Sequence, residues 1–88
     1  MRNMVMTIQD NLYPNPYELL ANALECSPDK LNLDSTLGNP PNWDSIGHLN
    51  IMLALEEAYN ISIDDDTIRR YTAMDAIVAR YEELQKGC

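Results

Sequence analysis

Positive charge is scarce in this chain. Six Lys and Arg stand against 14 Asp and Glu, for a net charge of −8 and a pI near 4.2. Nucleic-acid binding needs clustered Lys and Arg on phosphates, and adhesion to anionic lipid needs the same, so no nucleic-acid or membrane partner is expected. The surplus of acid favours a protein partner with a basic surface, found quickly by electrostatic steering. Cysteine is equally sparse. Cys26 and Cys88 are the only two, too few for a disulfide framework, and they read as free thiols of a reducing compartment.

No apolar run approaches the ~20 residues of a membrane span. Met1-Arg2-Asn3-Met4-Val5-Met6 is too short for the apolar region of a signal peptide. A cytoplasmic location is the expectation. Glycine totals three and histidine one. No glycine-rich turn offers an oxyanion hole, and 88 residues leave little room for a closed, water-free pocket. Ser45 and His48 fall on one helix face and could in principle serve as nucleophile and base. The missing oxyanion hole and the small chain speak against that use, so no enzyme is expected. His48 reads instead as a half-exposed helix residue.

What is present is a helical pattern with an ordinary hydrophobic share of 45%. Residues 1–12 are weakly patterned and read as a flexible leader. Residues 13–86 read as one domain, and 87–88 as a tail. Asn15-Pro16-Tyr17-Glu18 is a helix start with Asn as cap, Pro at the first position and Glu completing a capping box. Leu19, Leu20, Ala23 and Leu24 follow at helical spacing, and the helix should end before Pro28. Pro28, Gly38, Pro40 and Pro41 forbid a second long helix in 27–43. That loop is long for a small domain. Leu31, Leu33 and Leu37 should pin it to the core, with Trp43 closing it.

Asp44 is the cap of the next helix, which runs to Asn60, a residue suited to a left-handed end. Ile61-Ser62-Ile63 is a connector with no partner strand. Asp64-Asp65-Asp66-Thr67-Ile68-Arg69-Arg70 reads as a short helix with charges matched to its dipole. Its aspartates lack the alternating spacing and the glycine of a calcium loop. Thr72-Ala73-Met74-Asp75 resembles a capping box, opening a last helix through Ala76, Ile77, Ala79, Arg80, Tyr81 and Leu84 towards Gly87. The fold class is therefore all-α, with three longer helices, one short one, and a long loop between the first two.

The central helix carries two apolar stripes at about 100° per residue. Ile51, Met52, Leu55 and Tyr59 form one, and Ile46, Leu49 and Leu53 the other. A helix facing one core needs a single stripe. Either both are buried among several helices, or one awaits a partner. The second arrangement is expected, with Ile46, Leu49 and Leu53 facing outward, Glu56 on one flank between the stripes and Glu57 on the other.

Ser45 is the first residue after the cap. The cap role belongs to Asp44, so the Ser45 hydroxyl is free to point outward. Beside it lie backbone amides without intrahelical acceptors, and the helix dipole favours an anion there by roughly 0.3–1 kcal/mol. The position suits a phosphodiester. Asp34-Ser35 is a decoy, because Gly38, Pro40 and Pro41 follow it and no long helix can open there.

With these residues in place, the chain resembles the acyl carrier protein family over roughly residues 12–85. The resemblance rests on Asp44-Ser45-Ile46, then Leu49, Ile51, Ala54-Leu55-Glu56-Glu57 and Tyr59-Asn60-Ile61-Ser62-Ile63, in register with the last helix from Thr72. An Asp-Ser-Leu triplet alone is weak; in this register it is specific. The resemblance implies an acyl-carrier-protein-like four-helix bundle. It implies a 4′-phosphopantetheine arm on Ser45, taken from coenzyme A by a separate Mg²⁺-dependent phosphopantetheinyl transferase. The arm's thiol would hold acyl groups as thioesters for the loading and transferring enzymes of fatty-acid, polyketide or other specialised acyl biosynthesis. It also implies a monomer, with Asp44, Ile46, Leu49, Leu53, Glu56 and Glu57 meeting basic docking surfaces.

Two departures stand out. Gly47 and Asn50 replace acidic residues common in fatty-acid carriers, which points to a specialised pathway. Asn42-Trp43-Asp44 lacks the Gly-Gly pair common in peptidyl carriers. An aminoacyl or peptidyl carrier and a helical adaptor without a prosthetic group remain the alternatives.

Overall fold

A computed structural model describes residues 13–86. The expected leader, the tail and Cys88 lie outside the described residues. Four α-helices are present among those residues: α1 (Pro16–Leu24), α2 (Ser45–Tyr59), α3 (Asp65–Arg70) and α4 (Met74–Lys86). The only β pairing among them is two isolated bridges, so the class is all-α, with three longer helices and a short one.

Each boundary has a local cause. The Asn15 side chain accepts from the amides of Tyr17 and Glu18 at 2.8 and 3.3 Å, and Pro16 takes the first helical position. The capping box expected from Glu18 does not form; Asn15 alone serves the orphan amides. Helix α1 ends where Glu25 turns left-handed (φ 58°, ψ 48°), three residues before Pro28. Asn60 ends α2 in the same conformation (φ 58°, ψ 38°). Asp64 and Thr67 close a reciprocal capping box on α3, and Asp66 pairs with Arg70 at 2.8 Å one turn on. The three aspartates are thus helix-start chemistry.

The start of α4 departs from expectation. Thr72 does not cap it; its hydroxyl donates to the Arg69 carbonyl at 3.1 Å. The Met74 amide instead donates to the Ser35 carbonyl at 2.9 Å. A carbonyl of the long loop thereby satisfies an amide that a helix start would leave open. The same loop donates from the Leu37 amide and the Thr36 hydroxyl to the Thr72 carbonyl, both at 2.8 Å.

The loop itself holds one short 3₁₀ turn, Pro28–Lys30. Leu31 is buried, but Leu33 and Leu37 are 53% and 42% exposed, so two of the three expected leucine anchors fail. Backbone bonds do that work instead, with Thr36 and Asn39 exchanging both amide–carbonyl bonds at 2.8 and 2.7 Å. Trp43 closes the loop, fully buried.

The core gathers Leu20, Ala21 and Leu24 from α1, Ile51, Met52, Leu55 and Tyr59 from α2, and Met74 and Ile77 from α4. Leu31, Trp43, Ile61 and Tyr71 complete it from the connections. Tyr59 is its most constrained polar member. Its hydroxyl donates to the Pro14 carbonyl at 2.6 Å, and its ring lies 6.0 Å from Tyr13 and 6.1 Å from Tyr81. Burial pushes the Tyr59 hydroxyl well above the usual tyrosine value of about 10, and Tyr81 adds to the shift.

The sign follows directly. The folded state holds this proton more tightly than the unfolded chain, so its contribution is complete below about pH 10 and is lost as pH rises beyond. Tyr59→Phe is expected to cost about 1 kcal/mol at neutral pH, through the lost hydrogen bond. It should also flatten the alkaline fall in stability, which urea unfolding from about pH 8 to about pH 11 measures.

Candidate functional site

The start of α2 is where the sequence placed its chemistry. Asp44 is extended (φ −101°, ψ −169°), and its carboxylate accepts from the Gly47 amide at 2.8 Å. Its carbonyl accepts from the His48 amide at 2.7 Å. Ser45 is therefore the first helical residue, and it is exposed, as are Asp44 and Ile46 on either side. With the Gly47 amide taken by Asp44, the amides of Ser45 and Ile46 have no intrahelical acceptor. The decoy is different: Ser35 is 5% exposed and its hydroxyl oxygen accepts from the Asn32 amide at 2.9 Å.

Beside this helix start runs an open cleft of about 380 Å³, between the end of α1 and the start of α2. Leu24, Glu25, Asn42, Asp44, Ile46 and Asn50 are among its walls. Gly47 stands at its floor for a steric reason. A Cβ there would meet the Asn42 carbonyl oxygen at a forbidden distance and Leu24 Cδ2 at 2.7 Å. The absence of an acidic residue at this position is thus a packing requirement of this chain. Gly47→Ala is expected to cost about 1–3 kcal/mol by overpacking, despite the better helix propensity of alanine. Thermal unfolding of the variant checks it.

Further along α2 the two stripes separate. Ile51, Met52, Leu55 and Tyr59 are at most 1% exposed, whereas Ile46, Leu49 and Leu53 are 71%, 55% and 56% exposed. The outward stripe starts beside Ser45 and runs down the helix to Glu56 and Glu57, both exposed. The two ion pairs among the described residues are Arg70–Asp66 and Arg80–Glu83. Asp44, Glu56 and Glu57 have no cationic partner there. The site residues named from sequence therefore share one solvent-facing surface of α2.

His48 does not belong to it. The sequence reading expected a half-exposed ring on the face of Ser45; the ring is 5% exposed. Its Nδ1 accepts from the Trp43 indole N–H at 3.1 Å, and its Nε2 lies 2.7 Å from the Ile68 carbonyl. The Trp43 and His48 rings stack with centroids 6.2 Å apart and planes 26° from parallel. Both ring nitrogens are committed, so the imidazole is not placed to take a proton from Ser45. Sequence reasoning missed this pairing. Its signal was available: the only Trp and the only His stand five residues apart across a helix cap, and a buried indole N–H needs an acceptor.

Comparison with protein-family models, with curated proteins and with solved structures gives no match.

Proposed function

We propose that this chain is an acyl carrier protein, and that Ser45 bears a 4′-phosphopantetheine arm drawn from coenzyme A. The observation that carries the reading is the exposed hydroxyl at the first position of a 15-residue helix whose cap is already filled by Asp44. The site fits an attached phosphodiester. The hydroxyl is open to a transferase, two backbone amides beside it lack helical acceptors, and the Asp44 carboxylate is turned onto the Gly47 amide. When bound, the arm supplies a thiol that carries an acyl group as a thioester.

The chain's own residues then do two things. Ser45 anchors, and the outward face of α2 docks. Ile46, Leu49 and Leu53 offer apolar contact, while Asp44, Glu56 and Glu57 offer charge to basic surfaces on the phosphopantetheinyl transferase and on acyl-loading and acyl-transferring enzymes. The resemblance adds a bundle of the carrier type, a monomer, and no catalytic role of its own, and the proposed location is the cytoplasm. The pathway falls among fatty-acid, polyketide or other specialised acyl biosynthesis. An aminoacyl or peptidyl cargo would use the same anchor.

The exposed apolar stripe equally favours one other reading, a helical adaptor without a prosthetic group. Intact-protein mass after co-expression with a phosphopantetheinyl transferase separates the two. A carrier gains one phosphopantetheine, and an unmodified chain overturns the proposal.

A further inference from the structure

We propose that His48 is a proton-sensitive latch, which in its neutral form ties the loop ahead of Ser45 to α3 and on taking a second proton lets Trp43 go. The inference starts from two distances. The Trp43 indole can only donate, so the Nδ1 atom 3.1 Å away must be the unprotonated nitrogen. The carbonyl of Ile68 can only accept, so the Nε2 atom 2.7 Å away must carry the hydrogen. The two neighbours together select one tautomer of the neutral ring, and no other form satisfies both.

The latch spans three elements. Trp43 is the last residue of the long loop before Asp44, His48 is on α2, and Ile68 is on α3. Helix α3 has no fully buried residue of its own, so the bond to the Ile68 carbonyl is one of few ties it has to α2. Trp43 is fully buried and His48 nearly so. A proton on Nδ1 would point an N–H at an indole N–H, with no acceptor left between them. The bond to Ile68 survives this change, because the charged ring still donates from Nε2. What fails is the tie to the loop.

Three elements meet the ring, and each carries charge. On the loop it is Asp29, Lys30 and Asp34, with Asp44 following, its carboxylate held by the Gly47 amide, and on α2 it is Glu56 and Glu57. On α3 and its cap it is Asp64, Asp65, Asp66, Arg69 and Arg70, all exposed, with Arg70 paired to Asp66. None is hydrogen-bonded to the imidazole, so the tautomer is set by Trp43 and Ile68 alone. Trp43 directly precedes the cap of α2. Its release would loosen the backbone that presents Ser45, and this last step rests on the carrier reading.

Because the chain has one His and one Trp, the test needs no assignment of competing signals. The full chain, ¹⁵N-labelled, is followed by imidazole and indole NMR as pH falls, with far-UV circular dichroism alongside. At neutral pH the Nδ1 resonance should be that of an unprotonated nitrogen and Nε2 that of a protonated one. On acidification the indole N–H should exchange with solvent about fivefold faster, the factor that one such hydrogen bond represents. Its midpoint should coincide with that of the ring, with helicity retained.

His48→Gln can accept from Trp43 and donate to Ile68 without titrating, and it should stay latched throughout. The ratio of wild-type to His48→Gln rates of arm attachment, measured with one transferase, should fall with pH. An Nδ1–H tautomer, a ring that titrates while the indole is unmoved, an indole transition that persists in His48→Gln, or loss of helicity before the transition would each overturn the latch. If His48→Gln does not fold, the wild-type midpoints decide: coincidence supports the latch and independence refutes it. A chain that shows the latch but never gains phosphopantetheine refutes the carrier reading instead.

Discussion

Ser45→Ala is expected to abolish the gain of phosphopantetheine completely while leaving the domain folded. The two halves of that result have separate causes. The modification is lost because only a hydroxyl oxygen can form the phosphodiester, and alanine has none. The fold is kept because the Ser45 side chain is exposed and contributes no cap, the cap being Asp44 on the Gly47 amide at 2.8 Å. Exposed substitutions of this kind stay within about 0.5 kcal/mol, and alanine is a better helix former than serine. Intact mass and a denaturant titration of the same sample read both halves. Modification that persists would have to use another residue. Ser35, the decoy, is 5% exposed with its hydroxyl already engaged by the Asn32 amide. A transferase would have to unfold the loop to reach it.

The helices were legible where local chemistry decides them. Asn15 and Asp44 cap as their side chains dictate, Asn60 ends α2, and the split of α2 into a buried and an exposed stripe follows the helical period. What could not be read were contacts between residues far apart in the chain. Thr72 was expected to cap α4 because its neighbours fit a local motif, yet the Ser35 carbonyl, 39 positions from Met74, supplies the bond. Leu33 and Leu37 look like anchors by composition, but backbone pairing through Thr36 and Asn39 sets the loop and leaves both leucines in solvent.

The candidate site divides the same way. The separation of Leu49 and Leu53 from the core stripe was visible in the periodicity, and the exposure of Ser45 followed from Asp44 taking the cap. The burial of His48 depended on Trp43 reaching across a cap, which the five-residue spacing of the only Trp and the only His signals, and on the Ile68 carbonyl arriving from another helix, which no local pattern encodes. Gly47 is the intermediate case. It was legible as a departure, but its cause, the Asn42 carbonyl and Leu24 occupying the space a Cβ would need, required the packed structure.

Two leucines on the same helix should respond oppositely to the same substitution. Leu55 is fully buried and Leu49 is 55% exposed. Leu55→Ala removes a core side chain and leaves a cavity, at about 2–5 kcal/mol. For a domain whose whole stability is of order 5–15 kcal/mol, that loss lowers the melting temperature by roughly 10 °C or more. Leu49→Ala leaves no cavity and should change stability by no more than about 0.5 kcal/mol. Its effect belongs to the docked state, where one lost apolar contact of about 1.4 kcal/mol lowers kcat/KM of a partner enzyme about tenfold. Thermal unfolding and transferase kinetics on both variants form a two-by-two comparison, with stability lost in one and turnover in the other. The outcome that would break this division is a Leu49→Ala chain that melts as early as Leu55→Ala. The stripe would then be supporting the fold, and the surface from Ile46 to Glu57 would have no claim to be where partners land.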